Sequence, residues 1–213
     1  MGFNDSLNTR SVLRGLLGLL RTIERDGKHC ADEAILAGLS MGAGIIQIPE
    51  RLNQSNLLEL QLLVAISCNL GAPIVAVLLI TMRLSPLWVR VGPLRPRIPW
   101  LKIVLPAALV GFLLSFYFFL SSILAGILLS SRRDLIGEFK DVFGFLNPQD
   151  LLNSCLEASL YSAVACVWTL VESRKSAAIG RPVALVMSSV MVHVFAVVVV
   201  AKIVWILLSQ LLR

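Results

Sequence analysis

Three ionisable side chains sit in stretches that are otherwise apolar. Glu157 lies in CLEASLYSAVACVWTLVESRKSAAIGR (residues 155–181), while His193 and Lys202 lie in the last long apolar run. An acid, an imidazole and an amine held away from water could relay a proton or support intramembrane catalysis. His193 has two readings. It could pair with Glu157 across helices, or stay neutral and bond to Ser188, Ser189 or a backbone carbonyl. Neither a G-x-x-x-x-G-K-[ST] loop nor H-E-x-x-H occurs, so P-loop nucleotide binding and zincin chemistry are not expected. Cys30, Cys68, Cys155 and Cys166 show no CxxC spacing and read as small buried side chains, without a disulfide framework or a metal site. No residue is expected to be catalytic, and the chain is not read as an enzyme.

The elements that carry these residues follow from composition. Of 213 residues 57% are hydrophobic and 15% charged, and mean hydropathy is +0.83, values of a membrane protein. The net charge of +6 could suit nucleic acid. The bases lie between long apolar runs, however, which fits topology signalling and contact with anionic lipid, so no nucleic-acid partner is expected. No cleavable leader is expected either, because the first apolar stretch is laced with arginines and lacks a small-residue cleavage site.

The expected fold is all-α: an N-terminal interfacial amphipathic helix within residues 1–30, then five transmembrane helices within 31–213. In SVLRGLLGLLRTIERDG (11–27), Arg14, Gly18, Arg21 and Arg25 form one stripe opposite a leucine face, which suits a helix lying at the membrane surface or packed on another protein. The spans are about 31–49, 57–82, 103–130, 151–172 and 182–210. In the first, Gly38 and Gly42, like Ser40 and Gly44, are four apart, a spacing that lets helix backbones approach in lipid. In the second, Asn69, Gly71 and Pro73 predict a kink or break, either a substrate site or an ordinary proline kink. Between the third and fourth, Ile136, Phe139, Val142 and Phe143 can share one face of a short helix, which could lie on the outer surface, act as a lid or dock a periplasmic partner.

Charge sets the orientation. With the N-terminus inside, thirteen Lys and Arg lie on the cytoplasmic side, in the segments 10–28, 83–102 and 174–181. Five lie outside (Arg51, Arg132, Arg133, Lys140 and Arg213), and Lys202 lies within the last span. By the positive-inside rule this predicts a multi-pass protein of a bacterial cytoplasmic (inner) membrane, N-terminus in the cytoplasm and C-terminus outside.

Asp150 and Asn153 ahead of an apolar span, then a charged break and Gly180-Arg181 opening a last long helix, resemble the MlaE/YrbE-type permeases of bacterial ABC phospholipid transporters. LRPRIPWLKIVLPAALVG (94–111) is similar to the family's entry into its third span, and NLGAPIVAVLLITMR (69–83) to the second half of its second. Two features depart from the pattern. The Cys68–Pro73 neighbourhood lacks the acid that usually precedes Leu-Gly-Pro. The family's acidic, glycine-containing coupling helix is also shortened here to RLSPLWVRVGPLRPR (83–97), which has no acid.

The resemblance implies a permease subunit, paired with a second copy or a paralogue, that moves phospholipid between membranes through a cavity at the dimer interface. A separate cytoplasmic ABC ATPase would use ATP and Mg, with no cofactor bound by this chain, and an MCE-domain protein would extend the route outside. Residues expected to couple to the ATPase are Leu87, Trp88, Arg90, Leu94 and Arg95. Those expected to line the lipid path are Leu39, Met41, Ile46, Asn69, Pro73 and Glu157. Glu157, about two turns after Asp150, would be a polar contact in that path or with the outer partner, or else an interface-level acid satisfied by Asn153 or solvent. A carboxylate at the bilayer centre costs ~2.5–3.5 kcal/mol on insertion scales and much less near the interface. Two rival readings remain: a diverged, non-transporting structural subunit, and a secondary transporter relying on Glu157, His193 and Lys202.

Overall fold

Backbone amides in lipid have only each other to bond, which leaves the helix as the building unit of so apolar a chain. The computed structural model describes residues 3–51, 56–84, 101–130, 135–179 and 182–211. Its helices are α1 (Phe3–Arg51), α2 (Asn56–Leu79, running on into a π turn at Ile80–Leu84), α3 (Leu101–Leu129), α4 (Leu135–Phe145), α5 (Pro148–Ala178) and α6 (Val183–Leu211). Among the described residues four stretches are long and apolar enough to cross a membrane: Leu60–Arg83, Leu101–Leu129, Pro148–Ser176 and Ala184–Leu208. They carry the second to fifth expected spans. The first, 31–49, is not among the four and forms the second half of α1.

The expected division between a surface helix and a first span falls inside one unbroken helix. Nothing in Gly27–Cys30 ends a helix, and Lys28 Nζ donates to Glu24 Oε1 across one turn at 2.7 Å, supporting the helix there. That pair holds the Glu24 carboxyl below, and the Lys28 ammonium above, its ordinary range. Leu17 and Leu20 are exposed, and Ile23 packs against the core.

α1 lies antiparallel to α2 and touches it at both ends. Asp26 accepts from Arg83 Nε at 3.3 Å, while Ile45 and Ile46 share a cluster with Leu60, Leu63 and Ile127. Its closest neighbour is α3. A β-carbon at Gly38 would collide with the Ser121 hydroxyl and the Phe118 carbonyl, and one at Gly42 with the Ser122 carbonyl. The glycines therefore put two backbones in contact, as their spacing predicts. The second pair does not: Ser40 is exposed and Gly44 faces open space. Ser67 and Ser122 share a hydrogen bond at 2.7 Å, joining α2 to the same crossing.

Pro73 does not break α2. It withdraws the helical donor from the Asn69 carbonyl, but unpairing more backbone in an apolar setting would cost more than that single bond. α6 is the least enclosed helix. Val186, Val190, Val194 and Val198 pack inward, while most of its remaining side chains, from Leu185 to Leu211, face outward.

Candidate functional site

Where α2, α5 and α6 converge near the end of α4, they enclose a cavity of about 800 Å³. From α2 come Gln61, Cys68 and Asn69, from α5 Asp150, Asn153, Ser154 and Glu157, from α6 Lys202, Trp205 and Ile206, and from α4 Phe145. Seven polar or charged side chains besides Trp205 and Cys68 converge here, while the outer flanks of the same helices carry exposed Leu152, Leu156, Leu160, Ile203 and Leu207. This is a polar pocket set into an apolar wall.

At its base Lys202 Nζ donates to Glu157 Oε2 at 2.6 Å, and Tyr161 Oη donates to the same oxygen at 3.3 Å. Both charged side chains are largely enclosed, 14% and 10% exposed for Lys202 and Glu157. Glu157 lies about 14 Å along the helix axis from Pro148, the first residue of α5, at ~1.5 Å per residue. In low dielectric each charge is costly alone and tolerable as a hydrogen-bonded pair. Ser154 Oγ donates to the Cys68 carbonyl at 2.7 Å and holds α5 to α2 beside the pocket.

Glu157 is thus satisfied by Lys202 and Tyr161, not by Asn153 or His193. The His193 imidazole bonds through Nδ1 to the Ser189 carbonyl at 2.7 Å, as in the locally bonded reading, and its ring stacks near Trp168. The pairing had a sequence signal: Glu157 is the lone acid within the apolar part of its span, and Lys202 the lone cation within the last.

Of the residues expected in the lipid path, Asn69 and Glu157 line the cavity together. Pro73 is half-buried in α2, away from it, and Leu39 is half-buried on α1. Met41 packs against the core, and Ile46 is fully enclosed within it. Leu87, Trp88, Arg90, Leu94 and Arg95 lie outside the described residues.

Gly38-Leu39-Ser40-Met41-Gly42 matches the letters of the G-x-S-x-G nucleophile pattern. Its geometry does not: that serine belongs on a strand-to-helix turn, whereas Ser40 is inside α1 and its hydroxyl donates to the Leu36 carbonyl at 2.7 Å. The four cysteines are free, three of them buried and Cys68 half-buried. Compared with family models, curated proteins and solved structures, the chain finds no match in any of the three.

Proposed function

We propose that this chain is a lipid-handling permease subunit of a membrane assembly, in which the polar cavity receives a phospholipid headgroup and the apolar flanks of α5 and α6 carry its acyl chains. The observation that carries this reading is the cavity with the Lys202–Glu157 pair at its base, set among exposed apolar side chains. Its volume lies in the ~300–1,000 Å³ range of small-molecule sites. The ammonium and the carboxylate can each meet the opposite charge of a headgroup if the pair opens.

Five spans are the finer part of the proposal. Residues 26–46 of α1 extend from the Arg83 end of α2 to its Leu60 end, so the segment runs the length of a helix that itself qualifies as a span. Within it the expected span, 31–49, covers about 27 Å at ~1.5 Å per residue, close to the ~30 Å hydrocarbon thickness. With the positive-inside distribution, this supports an inner-membrane protein with its N-terminus in the cytoplasm and its C-terminus outside. The resemblance to MlaE/YrbE-type permeases adds the remaining proposals: a separate ATPase docking on 83–97, a second permease and an outer MCE-domain protein.

The test is purification of the complete chain from mild detergent with extraction of bound lipid and identification of partners. Recovery of phospholipid with a P-loop ATPase supports the proposal, and its Glu157→Gln variant then retains less lipid. The acid-free 83–97 segment favours a second reading, a structural subunit without transport. Recovery of neither lipid nor ATPase would leave that reading standing and end the first.

A further inference from the structure

α4 presents its faces in the opposite sense from a helix resting on a protein in water. Glu138 is fully buried and accepts from Ser130 Oγ at 2.5 Å, and Val142, one turn on, is buried in the core cluster it shares with Ile127 and Leu63. The outward stripe is Ile136, Phe139, Lys140 and Phe143, spaced i, i+3, i+4 and i+7. Ile136 is 73% exposed, and Phe139 and Phe143 are about half exposed, their rings 5.0 Å apart. These four residues border a shallow apolar groove of about 560 Å³.

We propose that α4 lies in the membrane–water boundary, with Ile136, Phe139 and Phe143 in the upper acyl region and the Lys140 ammonium reaching lipid phosphate. The occupant of the face is lipid because α4 is tied at both ends to membrane-crossing helices, following α3 after five residues and preceding α5 by two, which keeps it at the end of two spans. The adjoining ends of those spans also expose apolar side chains, Leu128 and Leu129 in the last turn of α3 and Leu152 and Leu156 in the first turns of α5. A single lysine on an aromatic stripe is the pattern of an in-plane helix, where the long stem lets the charge rise to the phosphate while the rings sink. Exposing those rings to water would forfeit the stabilisation that burial of such apolar side chains supplies. This inference stands independently of what the cavity binds.

The experiment uses the full chain in liposomes of phosphatidylethanolamine and phosphatidylglycerol. Nitroxide labels are placed at Ile136→Cys and, separately, Phe143→Cys in a cysteine-free background, and collision rates with oxygen and with a water-soluble nickel chelate are compared. Oxygen access several times that of the chelate at both positions is the expected result. Chelate access comparable to oxygen would put the face in water. Shielding from both reagents would mean that a second copy of the chain covers it. Either outcome overturns the proposal. Should the cysteine-free chain fail to fold, Phe139→Trp in the natural chain decides the same question: extra fluorescence quenching by brominated lipid, relative to the parent, supports it, and quenching by aqueous iodide alone refutes it.

Discussion

Removing one member of the Lys202–Glu157 pair leaves the other charged in a pocket that encloses most of it. Breaking a sealed pair from one side costs up to ~3–5 kcal/mol, and less for a pair that lines an open cavity, as this one does. Glu157→Gln and Lys202→Gln are each expected to lower the thermal midpoint in detergent. The double variant should recover much of the loss, because no lone charge remains. A double-mutant cycle reads this directly, and strictly additive effects would mean that the two side chains do not act together. The acid and Asn69 were legible as site candidates from residue type alone. The cation carried a signal too, standing alone in the last span, but its choice over His193 as the partner did not, because a pairing over 45 residues depends on how α5 and α6 rotate about their axes. For the same reason Ile46 looked like a pocket residue and is a core one.

The contact of α1 with α3 rests on the absence of side chains at two positions. Gly42→Val has nowhere to put its branches except against the Ser122 backbone, so the helices must separate. Overpacking typically costs ~1–3 kcal/mol, and a backbone obstacle yields less readily than a side chain. Gly44→Ala, with open space around the site, is the matched control, and helix propensity alone favours it by up to ~1 kcal/mol. Thermal unfolding of the two variants should diverge in sign. Small-residue spacing made the Gly38 and Gly42 face readable as a crossing, but the same spacing at Ser40 and Gly44 meets no helix, so spacing alone did not say which of the two faces packs. The face of α4 was half readable: Ile136, Phe139 and Phe143 do align, but Val142 turns inward with Glu138. In lipid both the inner and the outer side of a helix are apolar, so periodicity cannot tell which residues meet protein. Continuity through Pro73 was unreadable for a related reason, since the cost of a break depends on what surrounds it.

For the whole molecule the open number is the count of crossings, and the charge pattern reduces it to one terminus. With the basic segments 83–102 and 174–181 inside, α3, α5 and α6 carry the C-terminus outside whether or not α1 spans. A phosphatase fused after Arg213 should be active, and one fused before Met1 inactive if there are five spans. Activity at both ends would mean four. Helical class and the positions of four apolar helices were legible because length and hydropathy alone decide them, whereas α1, with Asp32 and Glu33 inside its second half, is decided by its neighbours. That dependence has a consequence for synthesis. Gly38 and Gly42 leave the ribosome about 80 residues ahead of Phe118 and Ser122, the groups they are shaped to meet. Until α3 emerges, the span expected at 31–49 has a notched surface and two acids but no companion, so under the five-span proposal its integration would belong to a late, post-insertion stage of biogenesis and would make it the segment most in need of an insertase.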